Sequence, residues 1–120
     1  MTAVLWSLLK SSKGENDLIK GTTPRLHFNL PIETSIIKAA EIVLQYVDNA
    51  KTVTIERTLE ECEVGENSIS AVLTQEETLS LPAPATAKVQ LRIVTNDGTA
   101  LATLPYKVTV KELLKESVLE

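Results

Sequence analysis

Apolar and polar positions alternate most cleanly between Ala87 and Val110. Ala87, Val89, Leu91 and Ile93 interleave with Lys88, Gln90, Arg92 and Val94, giving period two and one apolar face. Asn96-Asp97-Gly98-Thr99 then separates this run from a second one ending Tyr106-Lys107-Val108-Thr109-Val110. The pattern predicts a β-hairpin at the centre of the fold. The Asp97-Gly98 pair is expected to supply the positive-φ positions of a tight turn. Pro105 lacks an N–H, so the second strand should be interrupted, bulged or at an edge there.

The same period recurs upstream. Leu26, Phe28 and Leu30 face one way and Arg25, His27 and Asn29 the other, with Pro31 closing the strand. Thr52–Thr58 is β-branched and alternating. In 68–74, Ile69, Ala71 and Leu73 oppose Ser70 and Val72. The segment Ser35–Val47 is ambiguous. Its residues are good helix formers behind a serine that could cap. Yet Ala40, Ile42, Leu44 and Tyr46 alternate with Ala39, Glu41, Val43 and Gln45, and the neighbouring strands need a partner. A strand from about Ala39 to Val47, hairpinned to Thr52–Thr58, is the expectation. Thr74-Gln75-Glu76-Glu77 matches a capping box. Leu81-Pro82-Ala83-Pro84 limits the helix it starts to a short turn. Leu59–Asn67 reads as an acidic connection with a turn at Gly65.

These elements add up to an all-β fold, an Ig-like antiparallel β-sandwich of about six or seven strands with one short helical turn and terminal arms. Residues 18–110 form the sandwich. Residues 1–17 are an N-terminal arm and linker, and 111–120 a C-terminal arm or short helix. Val4, Leu5, Trp6, Leu8 and Leu9 make the first segment apolar, and Leu113, Leu114, Val118 and Leu119 give the last an apolar side. Residues 1–12 fit either a strand or helix turn lying on the core, or an arm that docks on a neighbouring subunit. Apolar residues on a detached arm would otherwise be an exposed patch. These nine residues are the candidate partner interface.

Composition narrows the function. The 120 residues are 43% apolar, enough for one packed domain, but only 3% aromatic. The core is therefore aliphatic. Only Trp6, Tyr46 and Tyr106 could make the exposed platform of a carbohydrate-binding sandwich, which is the alternative reading from another class. The net charge is −4, and the twelve Lys and Arg are dispersed, which disfavours nucleic acid as a partner. There is no apolar run of about 18 residues, so no membrane-spanning helix is expected. The N-terminus lacks the leading charges and cleavage site of a signal peptide. Cys62 has no partner for an internal disulfide, which fits a reducing compartment.

Catalytic and metal chemistry find no support. Cys62 lies among Glu60, Glu61 and Glu63, which raise a thiol's pKa. His27 is the single histidine and has no ligand-type neighbours at metal spacing. Glu60/Glu61 and Glu76/Glu77 are adjacent in sequence and do not converge as glycosidase carboxylates must. No Gly-rich loop precedes a helix. Asp97 is accounted for by turn chemistry. The expectation is a non-enzymatic protein without cofactor or metal, acting through strand edges and apolar segments.

Several pieces occur in a distinctive order: Lys20-Gly21-Thr22-Thr23-Pro24, a strand ending Leu30-Pro31, Leu73-Thr74-Gln75-Glu76-Glu77-Thr78-Leu79, Val89-Gln90-Leu91-Arg92-Ile93, Asp97-Gly98-Thr99-Ala100-Leu101-Ala102-Thr103 and Leu113-Leu114-Lys115-Glu116. Over about Ile19 to Leu119 this order resembles small virion-associated structural proteins of tailed phages and prophages of Gram-positive bacteria. It is distantly similar to the N-terminal domain of phage upper-baseplate proteins. The Met1–Ser12 extension and the helix-forming residues of Ser35–Val47 depart from that pattern. The resemblance implies a structural particle component, made in the host cytoplasm and residing in the virion. Its partners would be other copies of itself and other virion proteins. Tail tip or baseplate is the first expectation; a head decoration or head-fibre anchoring protein is the second.

Overall fold

Eleven residues of uninterrupted alternation build the strand on which the larger sheet is assembled. A computed structural model of the chain describes residues 17–119. Its strands are β1 (Asp17–Ile19), β2 (Arg25–Asn29), β3 (Ile37–Val47), β4 (Thr52–Thr58), β5 (Glu63–Val64), β6 (Ser68–Val72), β7 (Ala85–Thr95), β8 (Ala100–Ala102) and β9 (Tyr106–Lys111). One short helix, α1 (Gln75–Leu79), and two 3₁₀ turns, Thr34–Ile36 and Leu59–Glu61, complete the regular structure.

The strands form two sheets. The larger runs β1-β9-β7-β3-β4, with β8 also paired to β7; the smaller runs β2-β6-β5. The apolar faces of both meet in one aliphatic core, giving a sandwich-like all-β fold. Ala87, Val89 and Leu91 of β7 are fully buried, as are Leu44 of β3 and Ile69 of β6. Across the sheets, Phe28 of β2 meets Tyr106 of β9 with ring centroids 6.0 Å apart and planes inclined at 59°.

The strand expected at Ala39–Val47 is β3, two residues longer at its start. Its pairings Ile42↔Leu91 and Leu44↔Val89 on one side and Leu44↔Ile55 on the other bury its alternating face. Tertiary pairing overrides its helix-forming composition. α1 occupies the predicted position, with the Thr74 hydroxyl accepting the Glu77 N–H at 3.0 Å and Glu77 accepting the Thr74 N–H at 2.8 Å.

The structure corrects three details. The larger sheet is mixed rather than purely antiparallel, because β1 joins β9 in parallel through Leu18↔Val110. Among the described residues the strand count rises to nine because β1 and β5 have only three and two residues, and because the hairpin's return strand is split. The split falls at Thr103–Pro105, where proline was expected to interrupt it. The turn also differs: Gly98 is at φ +89°, and among the described residues no non-glycine residue has a positive φ. The Gly98 N–H donates to the Thr95 carbonyl and the Thr95 N–H to the Thr99 carbonyl, both at 2.9 Å, closing a three-residue loop. Asp97 accepts the Thr99 N–H at 3.0 Å through its side chain, so one glycine suffices.

Candidate interaction surface

The segment after β9, expected as an arm or a short helix, has no helix among its described residues. Residues 112–119 are irregular and fold back on their own domain, pinned at three points. First, Leu113 lies over Gly21, whose φ is +79°; a Cβ there would come within 2.6 Å of the Leu113 Cδ2. Second, Glu116 Oε1 accepts from Lys20 Nζ at 2.8 Å. The Lys20 side chain is only 8% exposed, against 51% for Glu116. Third, the Gln75 side chain takes both backbone groups of Leu119: its Nε2 donates to the carbonyl at 3.0 Å and its Oε1 accepts the N–H at 2.8 Å. An amide supplies both a donor and an acceptor, so it can mimic one rung of a β-ladder.

The seat for this segment is built by α1 and the turn after β1. Thr78 is fully buried; its hydroxyl accepts the Gly21 N–H and donates to the Thr22 carbonyl, each at 2.9 Å. Arg57 of β4 reaches across the mouth of the sandwich to Glu77 and to the Val72 carbonyl. That pairing holds the Glu77 carboxyl below its usual range and the Arg57 guanidinium above its own. The result is a fixed platform with an irregular strap across it.

Four of the nine candidate interface residues lie on this strap. Leu113 is half-buried, whereas Leu114 is fully exposed, Leu119 83% and Val118 41% exposed. Val118 borders an open groove of about 350 Å³ with Thr23, Val72 and Gln75. The other five, Val4, Leu5, Trp6, Leu8 and Leu9, lie outside the described residues. Sequence reading missed Lys20, Gln75, Thr78 and Glu116, which hold the strap. Their partners are 96 positions away for Lys20–Glu116 and 44 for Gln75–Leu119, so no local pattern marks them.

The residues weighed for chemistry are dispersed. Burial, then Glu61, pushes the Cys62 thiol up, and its Sγ donates to the Thr58 carbonyl at 3.2 Å. His27 Nε2 lies 3.1 Å from Asn29 Oδ1, two residues on along the outer face of β2. Glu61 accepts the Thr58 N–H at 2.8 Å, a bond that holds its carboxyl down. Among the described residues no three His, Cys, Asp or Glu side chains group as metal ligands, and no helix is long and apolar enough to cross a membrane. Of the three rings proposed for a sugar platform, Tyr106 turns inward onto Phe28, Tyr46 bonds Asp48 beside the β3–β4 turn, and Trp6 is outside the described residues.

No protein-family model matches the chain, and no curated protein matches it.

Proposed function

We propose that the chain is a non-enzymatic structural component of a tailed-phage particle, located at the tail tip or baseplate, which assembles with copies of itself and with other virion proteins. The observation that carries the reading is the strap. It holds Leu114 and Leu119 in water on a segment otherwise tied down by Gln75 and by Lys20–Glu116. Burying one leucine side chain is worth about 1.5–3 kcal/mol, so two exposed leucines on a fixed segment are suited to a protein partner. The resemblance over Ile19–Leu119 supplies the particle context.

The test is to tag the chain in a host producing the phage and purify the particles on a gradient. The expected result is the tag in intact particles, with gold label at the tail tip and a loss of incorporation in Leu114→Asp/Leu119→Asp. Label on the head would move the protein to the capsid. Absence from purified particles would overturn the reading.

A further inference from the structure

The outer face of the larger sheet, turned away from the core, carries an open apolar groove of about 280 Å³ where β3, β7 and β8 meet. The pairings Ala39↔Val94 and Val94↔Ala100 set its floor, with Ala102 further along β8. Arg92 and Glu41, 3.6 Å apart, form a charged wall beside it. Chain direction says what lies within reach. β3 takes one edge of β7, so β8 and β9 lie end to end along the other. β1 runs beyond β9 and parallel to it, starting with Asp17 opposite Thr109. The chain therefore approaches β1 from the β8 end of the sheet. Among the described residues β8 pairs only with β7, so its other edge borders that approach. Thr109 pairs with Thr86, and β8 pairs with Arg92 to Val94, six to eight positions further along β7. At about 3.3 Å per residue, an extended chain upstream of Asp17 reaches β8 by residues 9–11. Residues 4–9 then have the length to cross onto the groove, and they include Val4, Leu5, Trp6, Leu8 and Leu9.

We propose that residues 4–9 of the same chain cover this groove, with the Trp6 indole on its floor of Ala39, Val94 and Ala100. The chemistry of groove and ring match. An indole has an apolar body and one N–H donor, and it gains when a guanidinium lies over its face. The groove offers an alkyl floor, the Arg92 guanidinium for the ring face and the Glu41 carboxylate to accept the N–H. Connectivity favours the chain's own segment over that of a second copy. A tether of about eight residues gives a local concentration on the order of millimolar, well above that of free protein in solution. Covering the groove also removes from water an apolar segment and an apolar patch together. The segment then lies on its own domain, on the outer face of the sheet rather than between the sheets. The proposal does not rest on the particle reading, whose contact surface is the strap.

Trp6 is the single tryptophan of the chain, so its fluorescence tests this in the full-length protein without a label. Its emission should be blue-shifted from that of the urea-unfolded chain and shielded from acrylamide, equally at every protein concentration. Val94→Asp and Ala100→Arg put a charge into the groove from the face that the core does not use. Each should shift the emission to the red, toward the unfolded value, with unchanged circular dichroism. If neither variant folds, nuclear Overhauser contacts from the Trp6 indole to the Ala39 and Ala100 methyl groups of the wild-type chain decide, and their absence overturns the proposal. Emission that matches the unfolded chain, or a blue shift that survives in a folded groove variant, overturns it. So does a blue shift lost on dilution, which would give the groove to a second copy. Leu114→Asp/Leu119→Asp should leave the emission unchanged while reducing incorporation into particles, so the two readings fail separately.

Discussion

Thr103 takes both backbone groups of Leu91. Its hydroxyl accepts the Leu91 N–H at 3.0 Å, and its own N–H donates to the Leu91 carbonyl at 2.9 Å. Both residues are almost fully buried. The contact sits where the return strand breaks between β8 and β9, so one side chain stands in for the ladder that Pro105 cannot continue. Thr103→Val keeps the shape and removes the acceptor, leaving a buried N–H unpaired. The expected cost is about 1–3 kcal/mol, read as a lower midpoint in urea unfolding, with Thr103→Ser recovering most of it. Equal stability of the valine and wild-type chains would show that the hydroxyl is dispensable.

Tyr106 gives the protein an alkaline limit. Burial pushes its phenol from the ordinary value near 10 up to about 12. A group raised in the folded state binds its proton more tightly there than in the unfolded chain. Its contribution is therefore complete below pH 10 and lost as pH rises toward 12. Thermal midpoints should fall across that window and fall less in Tyr106→Phe, which keeps the ring against Phe28. Parallel loss in both proteins would assign the alkaline transition to another group.

Long alternation was readable, and short or polar long-range features were not. β7 and β3 each run for eleven residues, so their period-two faces outweigh local propensity, even where β3 is rich in helix formers. The capping box at Thr74–Glu77 and the break at Pro105 are local and were equally legible. β1 and β5 are too short to show a period. The parallel β1–β9 pairing joins residues at opposite ends of the chain. At the candidate surface, the exposed leucines of the strap stand out by composition, but its anchors do not. Gln75 and Lys20 look like ordinary surface residues until the fold brings them to Leu119 and Glu116.

Gly21 and Gly98 both have positive φ but meet different surroundings. A Cβ on Gly98 meets nothing within 4 Å, whereas one on Gly21 meets Leu113. Gly98→Ala should cost about 1–2 kcal/mol from backbone strain alone. Gly21→Ala should pay the same strain and also displace Leu113. Amide shifts at Leu113–Leu119 in heteronuclear spectra should therefore move in Gly21→Ala and stay fixed in Gly98→Ala. Movement in neither, or in both, would remove Leu113 as an anchor of the strap.

Lys20 and Glu116 form a charged anchor of that strap, and their unequal burial decides what each substitution does. Glu116→Gln removes a half-exposed charge but leaves the buried Lys20 ammonium without its counter-ion. Removing one partner of such a pair costs more than removing both, because a buried charge is left uncompensated. Solvent at Glu116 moderates the loss, so roughly 1–2 kcal/mol is expected. Adding Lys20→Met to Glu116→Gln should restore part of that stability while leaving the strap less firmly held. Hydrogen exchange at the Leu119 amide, bonded to Gln75, separates the two effects. It should quicken in both the single and the double variant, even where the double variant regains its melting temperature. If Leu119 exchange is unchanged in Glu116→Gln, Gln75 holds the segment without help from the ion pair.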